Sequence, residues 1–218
     1  MMKRLLLIII ASCGMITVHA QCGIENTAFK SGEVLSYDLY FNWKFVWVKV
    51  GTASMSTVQS TRNGKPAFRS SLITRGNSRL DDYFIMRDTL LCYTDMDLAP
   101  IYFRKGAREG KRYYVDELWY TYPGNNCHLK MHRIEDDGTH NWKEAEYKSC
   151  IYDMMSIFLR ARNFDASKLK VGENIPMPIS DAHRLSNSWL KYTGKTTIKM
   201  RNNKSKFRCL VFSFIERE

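Results

Sequence analysis

A chain of 218 residues is long enough to bury one large core. Aromatic residues make up 13% of it, against 12 glycines and 5 prolines, which excludes a disordered or collagen-like chain. The formal charge of +11 would point to nucleic acid in a cytoplasmic protein, but the N-terminus argues for a different compartment.

Lys3 and Arg4 precede an apolar run that begins with Leu5 to Ile10, and Val18-His19-Ala20 puts compact side chains just before Gln21. This is the anatomy of a signal peptide over residues 1–20, cleaved near Ala20. The apolar run is shorter than the ~20 residues a membrane-crossing helix needs. Ile10-Ala11-Ser12-Cys13 competes as a lipid-attachment site, but it would leave a very short signal and Met15, Ile16 and Val18 unexplained, so cleavage at Ala20 is preferred. The mature protein is therefore expected to be periplasmic or secreted, and membrane-associated only if lipidated at Cys13. Loss of Lys3 and Arg4 lowers the charge to +9. Outside the cytoplasm such a charge suits a lipid, a glycan or an envelope protein better than nucleic acid, with a merely soluble surface as the plainer alternative. Its densest cluster (Arg104, Lys105, Arg108, Lys111 and Arg112) is read as a solvated hairpin loop around Gly106 and Gly110.

Export also governs the cysteines. Cys22, Cys92, Cys127, Cys150 and Cys209 remain after cleavage, and an oxidising compartment permits one or two disulfides among them, with pairing open and buried thiols as the alternative. No CxxC pair occurs, so neither a zinc ribbon nor a thioredoxin-like site is supported.

From Leu35 the sequence alternates, with Leu35, Tyr37, Leu39, Phe41 and Trp43 on one face of a half-buried strand. The apolar positions then shift to Val46, Val48 and Val50, which predicts a turn or bulge near Lys44 and Phe45. Gly51, Ala53, Ser54, Ser56 and Thr57 are small enough for close packing. Asn63-Gly64 predicts a tight turn into a strand over Ala67–Thr74. Strand-like pieces follow at Tyr83–Met86, Thr89–Thr94, Ile101–Arg104, Lys111–Tyr122, Cys127–Ile134 and Thr139–Tyr147, divided by glycine- and aspartate-rich turns. Ile151, Met154, Met155, Phe158 and Leu159 then recur at helical spacing, predicting one amphipathic helix over about 150–162, with Ser149 as its cap and Arg160 and Arg162 in its last turn. Strands resume at Trp189–Tyr192, Thr196–Met200 and Phe207–Phe214. The turn spacing describes a sandwich, barrel or curved open sheet.

Several short stretches resemble an exported bacterial family, domain of unknown function 3108, which has been described as having a YmcC-like fold. They are Phe29 to Tyr37, Val48 to Ala53, Asp88-Thr89 with Asp97 to Pro100, Tyr152 to Ser156 with Arg160, Val171-Gly172 and the later strand at Gly194. The resemblance covers most of the mature chain and implies a mainly β fold, an antiparallel meander curved into a half-barrel or open barrel and packed around the helix at about 150–162. No low-complexity linker or repeat divides the chain, so a single domain over 21–218 is expected. Its last strand runs almost to Glu218, which with the family pattern continuing further leads to the expectation of truncation at the C-terminus. No reaction is established for the family, so no functional residue carries over.

His128 and His132 would share a face on a helix, but on a strand they lie about 13 Å apart, too far for one ion, so no metal site is expected. Asp81, Asp82, Asp88, Asp95 and Asp97 read as turn residues rather than a catalytic or calcium set. No Gly-x-Ser-x-Gly elbow or phosphate-binding glycine loop is present, and no cofactor is implied. The aromatic run from Tyr37 to Trp47 fills a sheet core or lines a ligand groove, for which Tyr37, Phe41, Trp43, Met155 and Phe158 are the candidates. The expected role is thus a non-enzymatic envelope protein for a hydrophobic, glycan or protein partner. The alternatives are a hydrolase of envelope polysaccharide using carboxylates from 81–97 or 135–146, and a structural assembly subunit.

Overall fold

The computed structural model describes residues 22–44, 46–124, 126–200 and 204–217, so the expected signal peptide, Cys13 included, lies outside it. Eight strands pair in chain order as one antiparallel sheet: β1 (Glu33–Trp43), β2 (Val46–Arg62), β3 (Lys65–Gly76), β4 (Met86–Thr94), β5 (Pro100–Glu109), β6 (Arg112–Thr121), β7 (Cys127–Ile134) and β8 (His140–Tyr147). The sheet does not close, and the one α-helix among the described residues, α1 (Met154–Ala161), packs against its inner face. A smaller sheet follows, in which β9 (Asn174–Pro176), β10 (Ile179–Ser180) and β12 (Lys206–Arg217) all pair with the long β11 (Leu185–Lys199). The fold is mainly β, an open half-barrel around one helix.

Local chemistry explains the turns. Asn63 and Gly64 both adopt left-handed backbone (φ 51° and 74°), the geometry a two-residue hairpin needs to follow the twist of its strands. The apolar shift after Trp43 has a second cause besides the turn. The register of β1 against β2 slips between Leu39 and Tyr40, so that Leu39 faces Gly51 while Tyr40 faces Lys49. This bulge leaves Val50 out of the pairing and brings Val48 and Val46 opposite Phe41 and Trp43. Gly51 permits the close approach of β3, since a Cβ there would lie 2.3 Å from the Arg75 carbonyl oxygen.

Five expectations need correction. Tyr83 and Phe84 belong to a loop, because the amides of both turn back to the Leu80 carbonyl and β4 begins only at Met86. Gly106 sits inside β5, so Arg104, Lys105 and Arg108 are strand residues and only Gly110-Lys111 forms the turn. The segments at 189–192 and 196–200 are one strand, β11, with a register shift between Tyr192 and Gly194. The helix is shorter than 150–162 because Cys150 is held in a disulfide with Cys22 and Tyr152 bridges to Ile179. Asp153, not Ser149, is the cap: its carboxylate accepts from the Met155 and Ser156 amides, 2.9 Å each, while the Ser156 hydroxyl accepts from the Asp153 amide.

The buried side of α1 also differs from the predicted stripe. Met155 and Leu159 are fully buried with Phe103, Leu118, Leu129 and Met131 of the sheet. Ile157 faces a second cluster with Met177, Leu190, Tyr152 and the disulfide. Met154 and Phe158, expected as core, are 45% and 58% exposed. The helix is clasped from two sides, so its apolar arc is rotated away from the arc that a single contact face would choose. The N-terminal segment straps its far end: Arg160 donates to the Cys22 carbonyl (2.9 Å), Asn163 accepts from the Thr27 and Ala28 amides (2.6 and 2.9 Å), and Arg162 forms a two-pronged pair with Glu33 at 2.7 Å. The disulfide closes a 128-residue separation, a constraint worth about 4–5 kcal/mol on chain-entropy grounds. Cys92 and Cys127 are buried thiols, and Cys209 is a partly buried one.

This seating gives a differential expectation. Met155→Ala should cost about 2–4 kcal/mol in chemical denaturation through the cavity it leaves, whereas Phe158→Ala should stay within about 0.5 kcal/mol. Equal losses at the two positions would contradict the orientation described.

Candidate functional site: the uncovered half of the trough

Cross-strand register sorts the inner face of the large sheet into rows. One row runs through Cys92, Phe103, Leu118 and Met131, and lies beneath α1. The next runs through Leu90, Lys105, Asp116 and Arg133, and the one beyond it through Tyr37, Ala53, Thr74, Asp88, Ala107 and Tyr114. A last row holds Leu39, Met86 and Glu109. Thus α1 fills one half of the trough, and the half it leaves uncovered has a polar, charged floor.

That floor is internally neutralised. Asp116 is almost fully buried and accepts from Arg133 Nε and Nη2 at 2.7 and 3.1 Å. Burial pushes its pKa up against the opposing guanidinium. Lys105 Nζ donates to Tyr114 Oη (2.7 Å) and Glu109 Oε1 (2.9 Å), and Tyr114 in turn donates to Glu109 Oε2 (3.1 Å). Burial raises the Glu109 pKa, but the Lys105 contacts outweigh it and leave it lowered. Asp88 moves the other way, raised first by burial and then by Glu109. Asp88 Oδ1 and Thr74 Oγ1, cross-strand neighbours, are both buried. The Thr74 hydroxyl lies near enough to Asp88 to lower its pKa somewhat against burial, but the pair falls short of hydrogen-bond geometry. A cavity of about 170 Å³ opens at one end of this floor, lined by Lys105, Tyr114, Asp116, Arg133 and Met154, with Ile179 to Asp181 across from them.

The groove candidates are distributed as follows. Tyr37, about half exposed, stands on the row of Asp88. Met154 and Phe158 lie one turn apart on α1, and Arg162, its C-terminal cap, lies one turn further on. Met154 lines the cavity and Arg162 is bonded to Glu33 at the opposite edge, so Phe158 borders the open half between them. Met155 lies on the buried side of the helix. Phe41 is on the inner face of the β1–β2 arm, beyond the last β2–β3 pair at Gly51 and Gly76, and the side chain of Trp43 lies outside the described residues. Tyr37 and Phe158 are both about half exposed, Met155 is buried on the other side of the helix, and Phe41 lies further out along the β1–β2 arm.

Of the carboxylates weighed from sequence, Asp88 alone enters this floor. Asp81 pairs with Arg87 (2.5 Å), Asp95 accepts from the Asp97 and Ala99 amides in its turn, and Glu144 stands 3.6 Å from His128. His132 engages His140 rather than His128. On the outer face Tyr102 donates to Glu117, whose other oxygen lies 3.2 Å from His132 Nδ1, and His132 Nε2 lies 2.9 Å from His140 Nδ1. Trp142 stacks on His132 with ring centroids 3.8 Å apart. Among the described residues no group of three or more His, Cys, Asp or Glu side chains is placed to hold a metal ion.

The fold and its half-filled trough define a class, an open β half-barrel plugged by one capped helix. The chain matches the model of the family described as protein of unknown function, DUF3108, over residues 36–218, and it belongs to that family. No curated protein and no solved structure matches it.

The cap that seats α1 titrates. Asp153 is fully buried beside Tyr120, and burial raises its pKa to about 6 despite the amides it accepts from. An acid whose folded pKa lies above its unfolded value of 3.8 favours folding while protonated, so its penalty sets in as pH rises from about 4 to 6 and reaches about 3 kcal/mol. The stability of the unaltered protein relative to Asp153→Asn should fall by roughly that amount between pH 4 and pH 6.5 and then level off. A difference that is flat over this range would contradict the buried, strained cap.

Proposed function

We propose that the chain is an exported cell-envelope protein that binds rather than catalyses. The uncovered half of the trough takes a hydrophobic or glycan-like ligand, or a segment of a partner protein. One observation carries the reading: on the half of the inner face that α1 leaves uncovered lies a charged but paired floor, with Asp88 Oδ1 and Thr74 Oγ1 at its base and the exposed ring of Tyr37 on the same row. Such a site offers hydrogen bonds at its base and aromatic contact at its edge, the mixture that ligand pockets use. Export to a periplasmic or extracellular location is supported by the signal-like residues 1–20 and by the Cys22–Cys150 disulfide, a bond that persists in oxidising compartments. Native mass spectrometry of protein recovered from its own compartment should show a bound species that Thr74→Val with Asp88→Ala releases. Protein that carries neither ligand nor partner would overturn the reading.

The hydrolase alternative is favoured by one feature, the opposite displacement of the Asp88 and Glu109 pKa values on one floor, as an acid and a base would need. Turnover of envelope polysaccharide that Asp88→Asn abolishes while leaving thermal unfolding unchanged would establish it.

A further inference from the structure

Independently of what the trough holds, one end of the large sheet carries an unusual concentration of exposed aromatic and basic side chains. Three of its connections lie at that end: the β1–β2 arm, the loop between β3 and β4, and the β5–β6 turn. They are tied into one rim by backbone bonds from the Asn77 amide to the Val50 carbonyl (2.7 Å) and from the Gly110 amide to the Ile85 carbonyl (2.8 Å). The Phe84 ring packs over Gly110, where an added Cβ would lie 3.4 Å away. On this rim Tyr83 is 87% exposed and Phe84 55%, and Phe41 and Trp47 project from the β1–β2 arm beyond the end of β3.

Burying none of these rings in a folded domain is costly in water. Their neighbours are cations: Lys44, Arg79 and Lys111 are exposed in the three connections, and Arg108 and Arg112 are exposed at the adjoining ends of β5 and β6. Asp81 and Glu109 are already neutralised by Arg87 and Lys105, which leaves Asp82 as the exposed carboxylate of the rim. The acidic β7–β8 turn, Glu135 to Asp137, lies beside Arg112 and bounds the patch on that side.

We propose that this rim docks on an anionic membrane surface, with Tyr83, Phe84, Phe41 and Trp47 entering the headgroup region and the flanking cations meeting lipid phosphates. Aromatic side chains favour that interface because their rings are amphipathic, and each nearby Lys or Arg adds attraction to an anionic leaflet. A soluble anionic polymer would use the cations but leave the aromatic rings in water, and a second copy of the chain would bring like charges together. A bilayer surface accounts for both sets of residues.

Sedimentation with phosphatidylcholine vesicles, with and without phosphatidylglycerol, tests this on the protein in the form its own cell makes. Partitioning should need the anionic lipid and weaken with salt. Lys111→Gln with Arg112→Gln should weaken it about thirtyfold. Tyr83→Ser with Phe84→Ser should weaken it at least about tenfold without changing thermal unfolding, since both side chains are exposed. As a reading local to the rim, Tyr83→Trp should add a fluorescence component that shifts to the blue on anionic vesicles. Failure to bind anionic vesicles, binding untouched by the rim substitutions, or an added Tyr83→Trp component that does not shift would each overturn the proposal. So would a concentration-dependent dimer, or capture by soluble heparin, that the aromatic pair of substitutions abolishes in place of vesicle binding.

Discussion

An antiparallel sheet that curves without closing has an inner face whose apolar half must be covered by another part of the chain. Everything else in this protein follows from how that face is covered. A single eight-residue helix is laid across the trough, too short to be stable alone. It is held instead by its surroundings: a reciprocal cap at Asp153, a disulfide at the residue where the chain enters the trough, and an N-terminal strap bonded to Arg160, Arg162 and Asn163. The cap is costly because its carboxylate is buried, and its two amide bonds, the serine bond and the contact with Tyr120 offset only part of that cost. The disulfide matters for the same reason, since it limits how far the entry point of the helix can wander in the unfolded chain.

Because the plug is short, it covers only part of the trough. The sheet adjusts its chemistry at the boundary. Under Met155 and Leu159 the inward residues are leucine, methionine and phenylalanine; one row further on they are Lys105, Asp116 and Arg133. Charges on an inward face would be ruinous beneath a helix, yet they are tolerable where the trough opens to solvent and each has a partner. The change from apolar to ionic floor thus marks where the helix stops. The same end of the sheet bears the aromatic and basic rim, so the opening and the rim share one side of the molecule.

Much of this architecture was legible in the sequence. The alternation from Leu35, the Asn63-Gly64 turn and the strand at Cys127–Ile134 have purely local causes, and they sit where pattern places them. The 3.6-residue repeat located the helix but misjudged its buried side, because periodicity assumes one partner surface and α1 has two: Ile157 answers to the second cluster, and Met154 and Phe158 are released to solvent. The polar floor was hidden for a different reason. In Tyr102 to Glu109 charged residues occupy both faces of β5, so no alternation separates Lys105 and Glu109, which point inward, from Arg104 and Arg108. Only register across three strands brings Lys105, Tyr114, Asp116 and Arg133 together. The His132–His140 contact depended on pairing across the β7–β8 turn, whereas spacing along one strand led to His128.

The central claim is that α1 is an integral plug of the trough rather than a helix resting on it. Native-state hydrogen exchange measures this directly. The amides of Ile157 to Arg162 should exchange only with global unfolding, at the same free energy as the central strands β4 to β7. Exchange of those helix amides at a markedly lower free energy, while the sheet stays protected, would contradict the account.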